Sequence, residues 1–381
     1  MALKTLKHTR LLGLAAVVSV AAMTLAACGS SSDESSGSAP SAGSGGGAST
    51  SVPTGLDPHP LAEKTDVTIG VGPVPTAQLS VAALADELGE FAKENLNVKI
   101  TTADGPTEIT LLQSGRMDLA GMGVTAAFFN AVHAGAKVEV VMAAGRSDSS
   151  DPGGLYVSDK LLGSDGKFDP CKLKQGKLTV SLGPSGQGNV GALLLSKLAA
   201  QCDGATLKDV YAHMTFSPLS GQNLVTALDN GAVDLALLYS PLPTLPGVKD
   251  HATMVLQSST VLDTTPAGWV MGSLATDKPL VAQAIVRAMM RTERDYLQSD
   301  YTTDPKVVAA LSKVLSQPDS LIKAAPVSVF DDKLPTDLME PLQEVYMAGK
   351  GVLTYTDPIP ARDLVDSSLL DRAEQGSPVH S

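Results

Sequence analysis

The chain of 381 residues is poor in aromatic side chains, 4% in all, with a single tryptophan. So little aromatic surface disfavours a cage for a quaternary amine or a stacked sandwich around a flat heterocycle. Cations are also scarce: 28 Lys and Arg stand against 40 Asp and Glu, for a net charge of −12. That balance disfavours nucleic acid and anionic membrane surfaces as partners, because both favour a positive field. The three cysteines, Cys28, Cys171 and Cys202, are too few for a disulfide scaffold or a cysteine-rich metal centre. His59, His133, His213 and His251 lack metal-ligand spacing, and no Cys or carboxylate cluster completes a zinc site. No metal and no cofactor is expected. A G-x-x-x-x-G-K-[ST] loop is missing, so the sequence shows no feature of its own for ATP hydrolysis.

What is present begins at the N-terminus. Lys4, Lys7 and Arg10 precede the uncharged stretch "LLGLAAVVSVAAMTLAA", which ends at Leu25-Ala26-Ala27-Cys28. A basic segment, an apolar segment and small residues at a cleavage point make a secretory signal over residues 1–27. The competing reading is an N-terminal membrane anchor, for which 17 residues is marginally short. The cysteine after Leu-Ala-Ala resembles a bacterial lipobox, which implies cleavage before Cys28 and a diacylglycerol on its sulfur. Residues 28–64 are rich in Ser and Gly and nearly free of large apolar side chains, as in a flexible tether. No later run is long enough to span a bilayer. The expected location is therefore the extracytoplasmic face of the cell membrane, held by lipid. Loss of the three signal-region cations takes the net charge from −12 to −15. In an oxidising compartment Cys171 and Cys202 form an even pair open to a disulfide, with two buried free thiols as the alternative.

Internal repetition organises the rest. "VTIGVGP" (67–73) aligns with "LTVSLGP" (178–184) at an offset of 111, each followed by a small polar loop and a helical pattern. "ITLLQSGRMDLAGMG" (109–123) echoes "LVTALDNGAVDLALLYS" (224–240), Gly115-x-x-Asp118-Leu-Ala matching Gly231-x-x-Asp234-Leu-Ala at an offset of 116. Each copy reads as a helix ended by glycine, a turn aspartate and a buried strand. Strands alternating with helices give an α/β fold with parallel-rich sheets, in two similar units. Gly186-Gln187-Gly188-Asn189-Val190-Gly191 fits the dinucleotide spacing G-x-G-x-x-G. The first copy, "GVGPVPTAQ", lacks the third glycine, and "VYAHMTFSPLS" offers no carboxylate where a ribose partner belongs. What the copies share is a strand end opening onto a helix-starting loop, where ligands sit in open α/β sheets. Two such loops facing one another make a clamp.

These segments, with "GAKVEVVMAAG", "ALDNGAVDLALLYSP" and the closing "MEPLQEVYMAGKGVLTYTDPIPARDLVDSSLLDRA", resemble solute-binding proteins of ABC importers in the nitrate/sulfonate/taurine class. That class also includes binders of thiamine-pyrimidine precursors, and the likeness runs over nearly all of residues 66–375. The resemblance implies a two-lobed periplasmic-binding-protein type II fold with two crossover hinges. Lobe I is expected from residues 65–146 plus 266–381, and lobe II from 147–265, which carries both Cys171 and Cys202. It implies a monomer that encloses a small ligand and presents it to a membrane permease. A ligand-sensing or scaffold lipoprotein is the alternative, as is a neutral pyrimidine-like ligand.

By position the resemblance puts Pro73, Thr76, Gln78, Gly123, Val124 and Thr125 in the cleft from lobe I. From lobe II it puts Ser185, Gly186, Gln187, Gly188, Asn189, Tyr239 and Ser240 there. Single hydroxyls among them also serve as caps or turn residues. Arg146 suits a bidentate carboxylate or sulfonate, or else an ion pair with Asp148 or Asp151. Trp269 is either a cleft wall or packed core. Helix N-termini, hydroxyls and one arginine favour a small organic anion. Enzyme chemistry is not expected. Gly183-Pro184-Ser185-Gly186-Gln187 lacks the second glycine of G-x-S-x-G. Asp331-Asp332 reads as a solvated polar loop. The cysteine-rich cofactor segment of the pyrimidine-synthesising enzymes in the wider superfamily is missing.

Overall fold

The structure, a computed structural model, describes residues 59–72 and 76–376, with side chains through Ala373. The signal-like segment, Cys28, most of the Ser/Gly-rich segment and Pro73 lie outside the described residues. In chain order the strands are β1 (Thr65–Val71), β2 (Leu96–Thr102), β3 (Leu119–Gly123), β4 (Glu139–Ala143), β5 (Arg146–Ser147), β6 (Gly154–Ser158), β7 (Leu178–Ser181), β8 (Met214–Phe216), β9 (Leu235–Leu238), β10 (Ala252–Gln257), β11 (Ala267–Met271) and β12 (Ser328–Val329).

They make two five-stranded sheets, ordered β2-β1-β3-β11-β4 and β10-β6-β9-β7-β8, and a small β12-β5 pair. Written from the other edge, the second sheet repeats the first: a central strand flanked by two parallel neighbours, then one antiparallel strand, then an edge. Each antiparallel strand, β11 or β6, is the first to be laid down after the chain crosses between sheets. β3 and β9 are short apolar runs with almost every residue buried, as strands covered on both faces require. Helices pack on the sheets, and each sheet with its helices forms one lobe.

The repeated Gly-x-x-Asp is explained by one interaction made twice. Asp118 accepts a hydrogen bond at Oδ2 from the Thr68 amide (2.7 Å), and its own amide donates to Thr68 O (2.8 Å). Asp234 does the same with Thr179, at 2.7 Å in both directions. The aspartate thereby pins the start of one strand to its parallel neighbour before the ladder begins. Gly115 (φ 64°) and Gly231 (φ 72°) take the left-handed conformation that ends the preceding helix.

Cys171 and Cys202 are joined by a disulfide across 31 residues, tying the turn Pro170–Lys174 to the end of the helix Gly191–Ala200. In the first lobe the long helix Pro279–Tyr296 carries Arg287 and Arg291 one turn apart, facing Glu90 and Glu94. Arg291 reaches Glu90 at 2.7 Å and Glu94 at 2.6 Å, and the fully buried Arg287 pairs with Glu94. Removing one partner of such a buried set strands the other charge, at a cost of about 3–5 kcal/mol.

Trp269 is a correction to its reading as a cleft wall. It is 0% exposed, on β11, with its ring lying over Gly121 of β3. A Cβ at Gly121 would lie 2.8 Å from the ring, so the glycine makes room for the indole in the core.

Candidate ligand-binding cleft

The chain leaves the first sheet at the end of β4 and enters the second at β6; it returns between β10 and β11. Both passages border a cavity of about 220 Å³ between the two sheets. From the first lobe come Thr76 and Gln78 after β1, Gly123 at the end of β3 with Val124 and Thr125 after it, and Gly145 and Arg146 after β4. From the second come Asn189, Val190 and Tyr239, and from the return passage Ser258, Ser259, Leu262, Thr264 and Thr265. The position matches the physical rule: strand C-termini and helix starts converge there.

Several groups on this wall have no hydrogen-bond partner among the described residues. Thr125 begins the helix Ala126–His133 without a side-chain cap, and the first-turn amides have no intrahelical acceptor. The Ser259 hydroxyl is enclosed and unpaired. Thr76 precedes a short 3-10 turn and also makes no cap bond. The loops that carry them are themselves fixed. Val124 N donates to Pro266 O (2.8 Å), Tyr346 Oη donates to Val124 O (3.0 Å), and Gly145 N donates to Gln78 O (2.9 Å). At Gly145 a Cβ would meet the Phe330 ring at 2.7 Å, so only glycine allows this approach.

Among the described residues Arg146 is the one cationic side chain lining the cavity, and its partner is neither Asp148 nor Asp151. Its Nε donates to Asp331 Oδ2 at 2.9 Å, and its backbone pairs with Val329 of β12. No described residue takes a hydrogen bond from its two terminal nitrogens. Asp331 is thus an ion-pair partner, not merely loop solvation. Asp151 is buried and accepts from the Ser147 and Ser240 hydroxyls and from the Gly153 amide (2.8 Å).

The glycine-rich loop of the second lobe is placed differently from the clamp reading. Asn189 lines the cavity, but its Oδ1 accepts from Gly191 N (3.1 Å) and Tyr239 Oη (3.3 Å). It therefore occupies the Gly191 amide, and the next two amides of that helix donate to the backbone carbonyls of Asn189 (2.8 Å) and Val190 (2.9 Å). Tyr239 is 45% exposed, while desolvation around its hydroxyl still raises the phenol above its ordinary range. Ser185, Gly186, Gln187 and Gly188 lie outside the cavity wall. Gly188 instead abuts the opposite lobe: a Cβ there would sit 2.7 Å from the Ala126 Cβ and 3.3 Å from Val352. Gln187 lies against the Gly349 turn. Ser240 is beside a second, largely apolar cavity of about 190 Å³, which shares Thr76 and Gln78 with the first.

Residue-level reading missed Gly145 and the return-passage hydroxyls. Their signal was the hydroxyl-rich "SSTVLDTT" (258–265) just before an apolar strand.

No protein-family model matches the chain, and no match was found among curated proteins. Solved structures do share its fold. A zinc-bound ligand-binding component of an ABC-type import system from Staphylococcus aureus superposes with a TM-score of 0.60 at 16% identity, over 81% of this chain and 99% of that one. The periplasmic aliphatic sulphonate binding protein SsuA from Escherichia coli gives 0.58 at 15% identity, over 79% and 91%. The periplasmic nitrate-binding protein NrtA from Synechocystis PCC 6803 gives 0.59 at 14%, over 84% and 90%. The desulfurization enzyme DSZB also shares the architecture, with 0.52 at 14%, over 81% and 99%. The fold is thus the two-lobed α/β architecture of ABC-import solute-binding proteins, the class that the sequence resembles. At these identities the likeness defines architecture, and an enzyme uses it too.

Proposed function

We propose that the protein is an extracytoplasmic solute-binding lipoprotein, which captures a small organic anion and delivers it to an ABC permease. Residues 65–146 with 266–381 form one jaw and 147–265 the other, with hinges where the chain crosses between sheets. Cleavage before Cys28 and lipidation of its sulfur hold the clamp at the membrane through the Ser/Gly tether. Binding to both jaws favours the closed form, which the permease reads.

One observation carries the ligand class. Arg146 stands at the cavity wall with Nε held by Asp331 and both terminal nitrogens unengaged by described residues. A guanidinium so presented suits a carboxylate or sulfonate. The uncapped start of the helix Ala126–His133 and the Ser259 hydroxyl add donors. A binding role is favoured over catalysis because the wall supplies no His, Cys, Lys or carboxylate among the described residues. Among the described residues Tyr239 is the only aromatic on that wall, which disfavours stacking of a pyrimidine.

A thermal-shift panel on residues 29–381 tests this, with nitrate, alkanesulfonates, small carboxylates and pyrimidines. A ligand at a hundredfold over its Kd stabilises by about 2.7 kcal/mol. The expected result is stabilisation by sulfonates or carboxylates, lost in Arg146→Ala. Stabilisation by pyrimidines alone would overturn the anion reading. No shift from any class would favour the sensor or scaffold role.

A further inference from the structure

We propose that Asp331 is a specificity-determining residue, restricting the cleft to ligands with a single negative charge while orienting the arginine that binds them. The inference rests on the anion reading above and assigns its charge class.

Asp331 lies just beyond β12, and β12 pairs with the crossover strand that carries Arg146: Val329 opposes Arg146 and Ser328 opposes Ser147. The backbone ladder therefore fixes the arginine's origin, and the Nε–Oδ2 bond of 2.9 Å fixes its head. With Nε engaged, the guanidinium offers its terminal nitrogens, and one rotameric arrangement is selected before ligand arrives. Preorganisation of this kind lowers the ordering cost of binding.

The same contact sets the charge balance. Among the described residues Arg146 is the only cation on the wall, and Asp331 formally cancels it. Asp151 is buried next to Ser147 on the same crossover, already accepting three hydrogen bonds and needing no cation from the ligand. Asp332 adjoins Asp331; burial first, and then the charges of Asp332 and Asp331, raise the proton affinity of Glu293, so the acidic groups on this side sit close together. A monoanion can share Arg146 with Asp331 in a hydrogen-bonded fork. A dianion brings a second charge within a few ångströms of Asp331 with no further cation to meet it. At that range the repulsion weakens binding by at least about tenfold, even with solvent screening. Singly charged sulfonates or carboxylates therefore bind, and sulfate or a dicarboxylate of similar size is rejected.

The experiment is calorimetric titration of residues 29–381 at pH 8 with methanesulfonate against sulfate, and with acetate against malonate. Wild type, Asp331→Asn and Asp165→Asn are compared; Asp165, on an exposed loop, lines neither cavity and controls for net charge. Wild type should prefer the monoanion by at least about tenfold. Asp331→Asn keeps an acceptor for Nε but removes the charge, and should shrink that preference by about tenfold with unchanged thermal unfolding. Asp165→Asn should leave it intact. Equal binding of mono- and dianions by wild type would overturn the proposal, and needs no variant to fold. So would a preference unchanged in Asp331→Asn while monoanions still bind, an outcome that leaves the anion reading standing. Failure of every anion to bind would remove both.

Discussion

Glu108 shows how much a single buried group contributes to the behaviour of this fold. It is 1% exposed in the helix Gly105–Gln113, its Oε1 has no hydrogen-bond partner among the described residues, and it faces Gly70. Burial first, and the nearby Asp104 charge second, push its carboxyl up to about 7. The folded state thus holds this proton more tightly than the unfolded chain, whose ordinary value is 4.5. Its contribution to stability is fully present below about pH 4.5 and is lost as the pH rises through about 7. The expected outcome is that Glu108→Gln raises the unfolding temperature more at pH 8 than at pH 5. Equal increments at the two pH values would contradict the assignment. At this scale Asp118 and Asp234 were legible because their motif occurs twice, although the strand-pinning bond they make was not. Arg146 was legible as a candidate, but Asp331 was not its expected partner. The two lie 185 positions apart and meet only through a two-residue ladder, which no local pattern encodes. Trp269 was ambiguous because a lone tryptophan on an apolar strand looks the same in sequence whether its ring faces a cavity or the Gly121 backbone.

Elements were more legible than contacts. The strand–loop–helix repeat specified two parallel-rich sheets, and buried runs such as "LALL" of β9 follow directly from apolar composition. The glycine-rich turn Gly186–Gly188 was harder, because strand-end geometry draws it to the cleft without saying what it touches. It meets the opposite lobe: Gly188 sits against Ala126 at the start of a lobe I helix. Glycine is needed at 188 because this approach leaves no room for a Cβ. Gly188→Ala should cost the closed form about 1–3 kcal/mol through overpacking. It should weaken methanesulfonate binding by about fivefold or more, with unliganded thermal unfolding little changed. Calorimetry checks this, and wild-type affinity in the variant would show that the turn does not seat on closure.

At the scale of the whole molecule, two chain crossings and two similar sheets place a cavity where loops from both lobes converge. This architecture was legible through repetition and family resemblance. The ligand was not, because the groups that the proposed function assigns to it are brought together only by folding: Arg146, the uncapped helix start, and hydroxyls on the return passage. With a net charge of −12 the chain does not attract an anion through its overall field, so the proposed function draws affinity from these local donors and from closure. A clamp that works this way must change shape when filled. The most direct measurement is small-angle X-ray scattering of residues 29–381 with and without the tightest-binding anion at saturation. A smaller radius of gyration and loss of the inter-lobe trough in the distance distribution on binding are the predicted result. Superimposable profiles in the presence of demonstrated binding would contradict the clamp.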